Sequence, residues 1–162
     1  MRSRGFLLVS VLLITMILLT LGLTFLGKRA IQYRRAAMYE SAARARALAE
    51  SGLEDALCKL RRDIEFPPLS KDQEVFSYVE EIEVGGERIG AYRVILDGKK
   101  RFAPYAVWLV TSQGEAGSDA ANPSSTRTLR AEVDVYAKDR TDKTLKNAFY
   151  YDVINFQDMG GL

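Results

Sequence analysis

The sequence predicts an α+β fold in which a long N-terminal helix packs on an antiparallel sheet of about five strands. Three observations carry that expectation. Phe6 to Leu26 is an uncharged apolar run, and a segment rich in Ala, Arg, Leu and Glu follows it without a loop signal. Phe66-Pro67-Pro68 then breaks the helical pattern, because proline disfavours helix in the residue before it. Beyond the prolines the apolar period changes from 3.6 to 2, the spacing of half-buried strands.

Four segments follow from this reading: a leader at 1–5, a transmembrane helix at 6–27, an amphipathic stem helix at 28–66 and an antiparallel β head at 67–162. The only polar side chains between Phe6 and Leu26 are Ser10, Thr15, Thr20 and Thr24. Hydroxyls of this kind are tolerated in lipid because they bond back to the helix backbone. About 20 apolar residues cross the hydrocarbon core. A cleaved secretory signal fits poorly, since such a segment has a shorter apolar run and ends at a small-residue site. Here Lys28-Arg29 follows the run, so a permanent anchor is expected. Arg2 and Arg4 flank one side, and Lys28, Arg29, Arg34 and Arg35 the other. The charge count by itself puts the C-terminal domain in the cytoplasm.

From Lys28 to Ile64 there is no proline and one glycine, Gly52. Met38, Ala42, Ala45, Ala49, Leu53, Leu57, Leu60 and Ile64 recur at helical spacing and define an apolar face. Its small residues, up to Ala49, suit close helix–helix approach. Its bulky residues, Leu53, Leu57, Leu60 and Ile64, are expected to pack the stem on the sheet. The competing reading is an alanine-rich face produced by helix propensity alone.

In the head, Phe76, Tyr78, Ile82 and Val84 alternate with polar residues, and Gly85-Gly86 offers a tight hairpin turn. Arg88 to Leu96 forms a second strand. Ala106 to Thr111 is continuously apolar and predicts a central buried strand containing Trp108. Leu129, Ala131, Val133, Val135 and Ala137 alternate again, and a last strand is expected around Ala148 to Phe156. Gln113 to Ser125 reads as the longest loop and Asp158–Leu162 as a frayed tail.

Composition narrows the chemistry. There is no histidine and a single cysteine, Cys58, which excludes His-based catalysis, His–metal sites and an internal disulfide. Cys58 is expected to be a small buried hydrophobe. Residues 1–64 hold 11 Lys/Arg against 5 Asp/Glu, and residues 65–162 hold 12 against 16. The mildly acidic head argues against a general nucleic-acid binder. Lys99-Lys100-Arg101 beside Phe102 and Tyr105 has the chemistry to touch phosphates, so nucleic acid is kept as a weakly supported partner. Short basic runs are more often solvated turns. Asp139 and Asp142 flank a turn with too few oxygen ligands for a calcium loop. No spacing selects a nucleophile with a base, so no enzyme activity and no cofactor are expected.

A basic leader ending in Gly5, an apolar helix starting at Phe6, a long stem and a small antiparallel head together resemble the type IV pilin-like proteins. Arg4-Gly5-Phe6 is similar to their prepilin cleavage junction. Ala49-Glu50-Ser51-Gly52-Leu53 is similar to the A-E-x-G-[LI] segment of PilX-type minor pilins. The resemblance implies cutting after Gly5 by a prepilin peptidase and N-methylation of Phe6. It further implies a bacterial inner-membrane precursor with its head outside the cytoplasm, reversing the charge count. The partners it implies are other pilins or pseudopilins, joined by helix packing, and an inner-membrane assembly platform. Major pilins carry a glutamate at the fifth mature position, where this chain has Ser10. K-type pseudopilins of type II secretion also lack that glutamate, but they usually carry a large extra domain. The expectation is therefore a minor pilin or pseudopilin that initiates or caps a filament. The alternative is a single-pass anchored extracytoplasmic sensor or binding protein.

Overall fold

The computed structural model describes residues 3–63, 66–68 and 73–161. It contains one helix and five strands: α1 (Ser3–Arg62), β1 (Val75–Val84), β2 (Glu87–Asp97), β3 (Val107–Ala116), β4 (Ser125–Asp134) and β5 (Val153–Gly160). The strands form one sheet in the order β1-β2-β3-β4-β5, every neighbouring pair antiparallel. This is the α+β architecture that the change of period predicts. The chain divides into two compact units, residues 1–39 and residues 40–162.

The first unit is helical. Its large apolar side chains from Phe6 to Leu26 are exposed wherever they are described. The most apolar stretch has a mean hydropathy of 2.5, none of it buried, so this helix is long and apolar enough to cross a membrane. Each hydroxyl is satisfied locally. Ser10 donates to the Phe6 carbonyl and Thr24 to the Thr20 carbonyl, four residues back. Thr15 and Thr20 donate to Leu12 and Ile17, three residues back.

In the second unit the rest of α1 lies on one face of the sheet. Leu53, Ala56, Leu57 and Leu60 form a core with Tyr92, Val94, Leu96, Trp108, Val110, Ala131 and Val133. Each large side chain removed from water contributes roughly 1.5–3 kcal/mol, which makes this cluster the main source of the domain's stability. A smaller cluster joins Ala45, Leu48 and Ala116. Phe66, just past the helix, sets its ring edge-on to Phe76 at 5.6 Å.

Several details differ from the sequence reading, each for a physical reason. Helix α1 ends at Arg62, and Ile64 lies outside the described residues. Met38 is 70% exposed and Ala42 is exposed, while Leu48, Gly52 and Ala56 join the buried face. Ala45, Ala49 and Gly52 serve helix–sheet contact within this chain. A Cβ on Gly114 would overlap the Ala45 carbonyl oxygen and the Ala49 amide nitrogen, and one on Gly52 would lie 2.5 Å from Ser112 Oγ. Side chains must be small where helix backbone and strand backbone approach this closely.

β3 is central, but only Trp108, Val110, Ser112, Gly114 and Ala116 face the helix and are buried. Val107 and Leu109 stay half-buried because, among the described residues, no second layer covers their face. β3 also runs on through Gln113–Ala116, shortening the expected loop. Polar residues there occupy the open face, which a reading by apolarity misses. β4 stops at Asp134, and β5 is shifted towards the C-terminus, taking in Asp158 and Gly160. The tail is anchored by an Arg127–Asp158 ion pair at 2.6 Å. Cys58 is exposed, because the buried arc of the helix passes through Leu57 and Leu60 and leaves position 58 outside. Gly85 and Gly86 have φ of 65° and 85°, the left-handed pair that a two-residue hairpin demands.

Candidate functional site

The residues singled out in the sequence fall into two groups, each in its own unit. Gly5 and Phe6 lie in the first turn of helix α1. The Phe6 side chain is 76% exposed. Ser10 is brought to Phe6 by the helical repeat, with its hydroxyl 2.9 Å from the Phe6 carbonyl oxygen. The hydroxyl satisfies itself within its own helix and places no charge on the surface. In the second unit Leu53, Leu57 and Leu60 are buried side by side in the main core.

Beside that core lies a polar cluster that sequence reasoning missed. Lys59 Nζ donates to Asp55 Oδ2 and Glu80 Oε1, both at 2.6 Å. The Tyr78 hydroxyl donates to Asp55 at 2.7 Å and the Tyr92 hydroxyl to Glu80 at 2.8 Å. The Lys59 ammonium also lies 4.1 Å from the centre of the Tyr78 ring. Burial first, and then hydrogen bonding to the carboxylates, pushes both phenols well above the ordinary tyrosine value. Burial lowers the Lys59 pKa, but the bonds to Asp55 and Glu80 outweigh it and hold the ammonium above its usual value. Spacing of four residues between Asp55 and Lys59 was a readable signal. The contribution of Glu80 from β1 was not.

A second hub closes the other end of the head. The buried Asp134 carboxylate accepts from the Tyr136 amide (2.9 Å), Arg140 (3.0 Å) and Asn147 (2.9 Å). Burial raises its pKa, yet those three donors together hold it below the usual carboxylate value. The hub fixes the β4–β5 connection, and Arg61 at the end of α1 donates to the Tyr151 carbonyl at 3.0 Å. In the same connection Asp139 accepts the Thr141 and Asp142 amides, and Asp142 accepts from Thr144. Both carboxylates are thereby occupied in shaping the turn. Among the described residues no group of three or more His, Cys, Asp or Glu is placed to hold a metal.

Lys99, Lys100 and Arg101 lie in the β2–β3 connection. Asp97 caps this turn by accepting the Lys99 amide at 3.0 Å. Lys100 lies 5.5 Å from the Tyr105 ring centre, and Arg101 lies 4.9 Å from that of Phe102 and 5.8 Å from that of Trp108.

The Gly52 of the stem motif has a clear local role. It lets α1 settle against Ser112 and the Tyr92 ring, where any side chain would collide. Ala49 and Gly52 are thus the contact points of the helix on the sheet, and Glu50 faces solvent, paired with Arg46 at 2.9 Å. No protein-family model, curated protein or solved structure matches this chain. What stands established is an α+β protein with one helix long enough to span a membrane and a five-stranded antiparallel sheet.

Proposed function

We propose that this chain is a minor pilin or pseudopilin, a structural subunit that initiates or caps a type IV pilus-like filament. The observation that carries the reading is one helix serving two environments. Its first part, beginning after Gly5, exposes only apolar side chains and self-satisfied hydroxyls; its last part is buried on an antiparallel sheet. Such a helix is suited to storage in a bilayer and later to packing among like helices in a filament. On this reading the precursor is held in the bacterial inner membrane with the sheet outside the cytoplasm. A prepilin peptidase cuts after Gly5, Phe6 becomes the methylated N-terminus, and an assembly platform passes the subunit to other pilins.

The role proposed is structural, not enzymatic. The polar clusters found are saturated by partners within the chain, and neither sets a nucleophile against a base. The alternative is an anchored extracytoplasmic sensor that keeps its leader and never leaves the bilayer.

The mass of the mature chain decides between them. The filament subunit starts at Phe6 with one added methyl group. Replacing Gly5 with a bulky residue leaves an uncut precursor in the membrane fraction. An intact Met1 on chains recovered from sheared filaments, or the absence of any processed form, overturns the filament reading.

A further inference from the structure

The first 39 residues hold six Lys/Arg and no carboxylate; the first acidic side chain of the chain is Glu40. Four of the six, Lys28, Arg29, Arg34 and Arg35, follow directly after the apolar run. Helix α1 continues through them without a break, and all four are exposed. Among the described residues none forms an ion pair with any of the four. The next arginines along the same helix are answered, Arg44 by Glu40 and Arg46 by Glu50. Pairing of charge therefore begins only where the basic segment ends.

The helical repeat sets how these charges are displayed. At about 100° per residue, Lys28 and Arg35 share one side of the helix, and Arg29 and Arg34 lie about 100° and 240° round from Lys28. The four cations thus encircle the axis within about 10 Å of its length. The Arg29 guanidinium lies 5.0 Å from the centre of the Phe25 ring, one turn back, and so is turned towards the apolar run. Long side chains on a helix lean towards its N-terminus in this way, so the later pair, Arg34 and Arg35, can reach back in the same direction. Tyr33, 74% exposed, stands among them, an aromatic residue of the kind found at a membrane–water boundary.

Encirclement selects the partner. A nucleic-acid strand or a folded protein touches one side of a helix and leaves the cations on the other sides unanswered. Lipid surrounds a single spanning helix, so every side meets a headgroup. The apolar run ends at Leu26, which puts the first cations at the level where the hydrocarbon core gives way to headgroups. Phosphate accepts charge-assisted hydrogen bonds from Lys and Arg. A zwitterionic lipid offers that phosphate beside a cation of its own, whereas an anionic lipid offers it alone. We propose that Lys28, Arg29, Arg34 and Arg35 form a belt that gathers anionic phospholipid around α1 at the C-terminal end of its apolar run. The inference needs only that Phe6–Leu26 spans a bilayer, and it holds whether or not the chain is cut after Gly5.

Electron spin resonance of the full chain in phosphatidylcholine bilayers tests it, with spin-labelled phosphatidylglycerol and spin-labelled phosphatidylcholine reporting on the lipid in contact with the helix. The phosphatidylglycerol should be preferred about three-fold, and the preference should shrink as salt is added. Lys28→Gln, Arg29→Gln, Arg34→Gln and Arg35→Gln together should remove most of it, with circular dichroism and the amount of lipid held at the helix unchanged. Arg2 and Arg4 are the same in both chains, so the difference between them reports the belt. The pair Lys28→Gln and Arg35→Gln, and the pair Arg29→Gln and Arg34→Gln, should each lower the preference to about 1.7-fold, because the charge is spread round the axis. Equal association of the two lipids, or a loss carried wholly by one pair, overturns the proposal. So does displacement of the phosphatidylglycerol by glycerol phosphate or an oligothymidylate at matched phosphate concentration, which would assign these cations to a soluble anion.

Discussion

The carbonyl oxygen of Ala45 in α1 fills the position that a Cβ on Gly114 of β3 would take. Helix and strand backbones therefore touch at this point with no side chain between them. Gly114→Ala forces the helix off the sheet or bends the strand. We expect a loss of about 2–3 kcal/mol, at the upper end of overpacking costs because the obstacle is backbone. Gly52→Ala should cost less, since its obstacles are the Ser112 hydroxyl and the Tyr92 ring. Urea unfolding of residues 30–162 measures both. Equal midpoints for Gly114→Ala and the parent would mean that the close approach is absent in solution.

The same fragment lacks the apolar run and should be soluble, monomeric and of mixed helix and strand content. Leu53, 6% exposed and packed in the main core, is its most sensitive helical position. Leu53→Asp buries a carboxylate without a partner and should cost about 4 kcal/mol or more. A fragment of 30–162 has little stability to spare beyond that. The expected outcome is loss of cooperative unfolding, and a normally folded variant would refute the assignment of this face.

Alkaline pH should loosen the junction between α1 and β1–β2. The Tyr78 and Tyr92 phenols are held above their ordinary pKa, and Tyr151 is pushed up to about 12 by burial and its bond with Tyr150. A raised folded-state value means that the folded chain holds the proton more tightly than the unfolded one. The stability so gained is complete below about pH 10, the ordinary tyrosine value, and is lost as pH climbs through the folded-state values. Lys59 contributes with the same sign. Tyrosinate absorbance recorded with circular dichroism should show a late step coincident with unfolding. Combining Tyr78→Phe with Tyr92→Phe should shrink it. Complete titration near pH 10 with the fold intact would contradict the buried, bonded state of these phenols.

Under the filament reading, Ser10 decides copy number. Its hydroxyl is bonded to the Phe6 carbonyl and offers no charge to the amine of a neighbouring subunit. Low copy number and an effect on initiation are expected, with Ser10→Glu allowing incorporation along the shaft. Quantitative mass spectrometry of sheared filaments measures the ratio. A copy number equal to that of the major subunit would show that Ser10 does not limit position.

The change of period at Phe66-Pro67-Pro68 was enough to read the two-layer architecture. Leu53, Leu57 and Leu60 were legible as a face because bulky residues at helical spacing have few other uses. Ala45, Ala49 and Gly52 were harder. A small side chain records that something comes close without recording what, and the partner is strand β3. Gln113–Ala116 and Asp158 were illegible as strand because one sheet face is left uncovered by the described residues, and polar residues are tolerated there. The Lys59–Glu80 pair joins residues far apart in the chain, so it follows from how the helix lies on the sheet and from no local pattern.

The four hydroxyls of the Phe6–Leu26 run all donate to carbonyls of their own helix. To a neighbouring helix in lipid this run offers no free donor, so a bond across the seam would have to be donated by the neighbour. Attraction between such surfaces depends on contour, and contour tolerates sliding and rotation better than a hydrogen bond does. A neighbour can therefore be exchanged without leaving a polar group stranded. Under the filament reading, exchanging this run for another of equal length that also lacks a charge at the Ser10 position should leave the choice of neighbour unchanged.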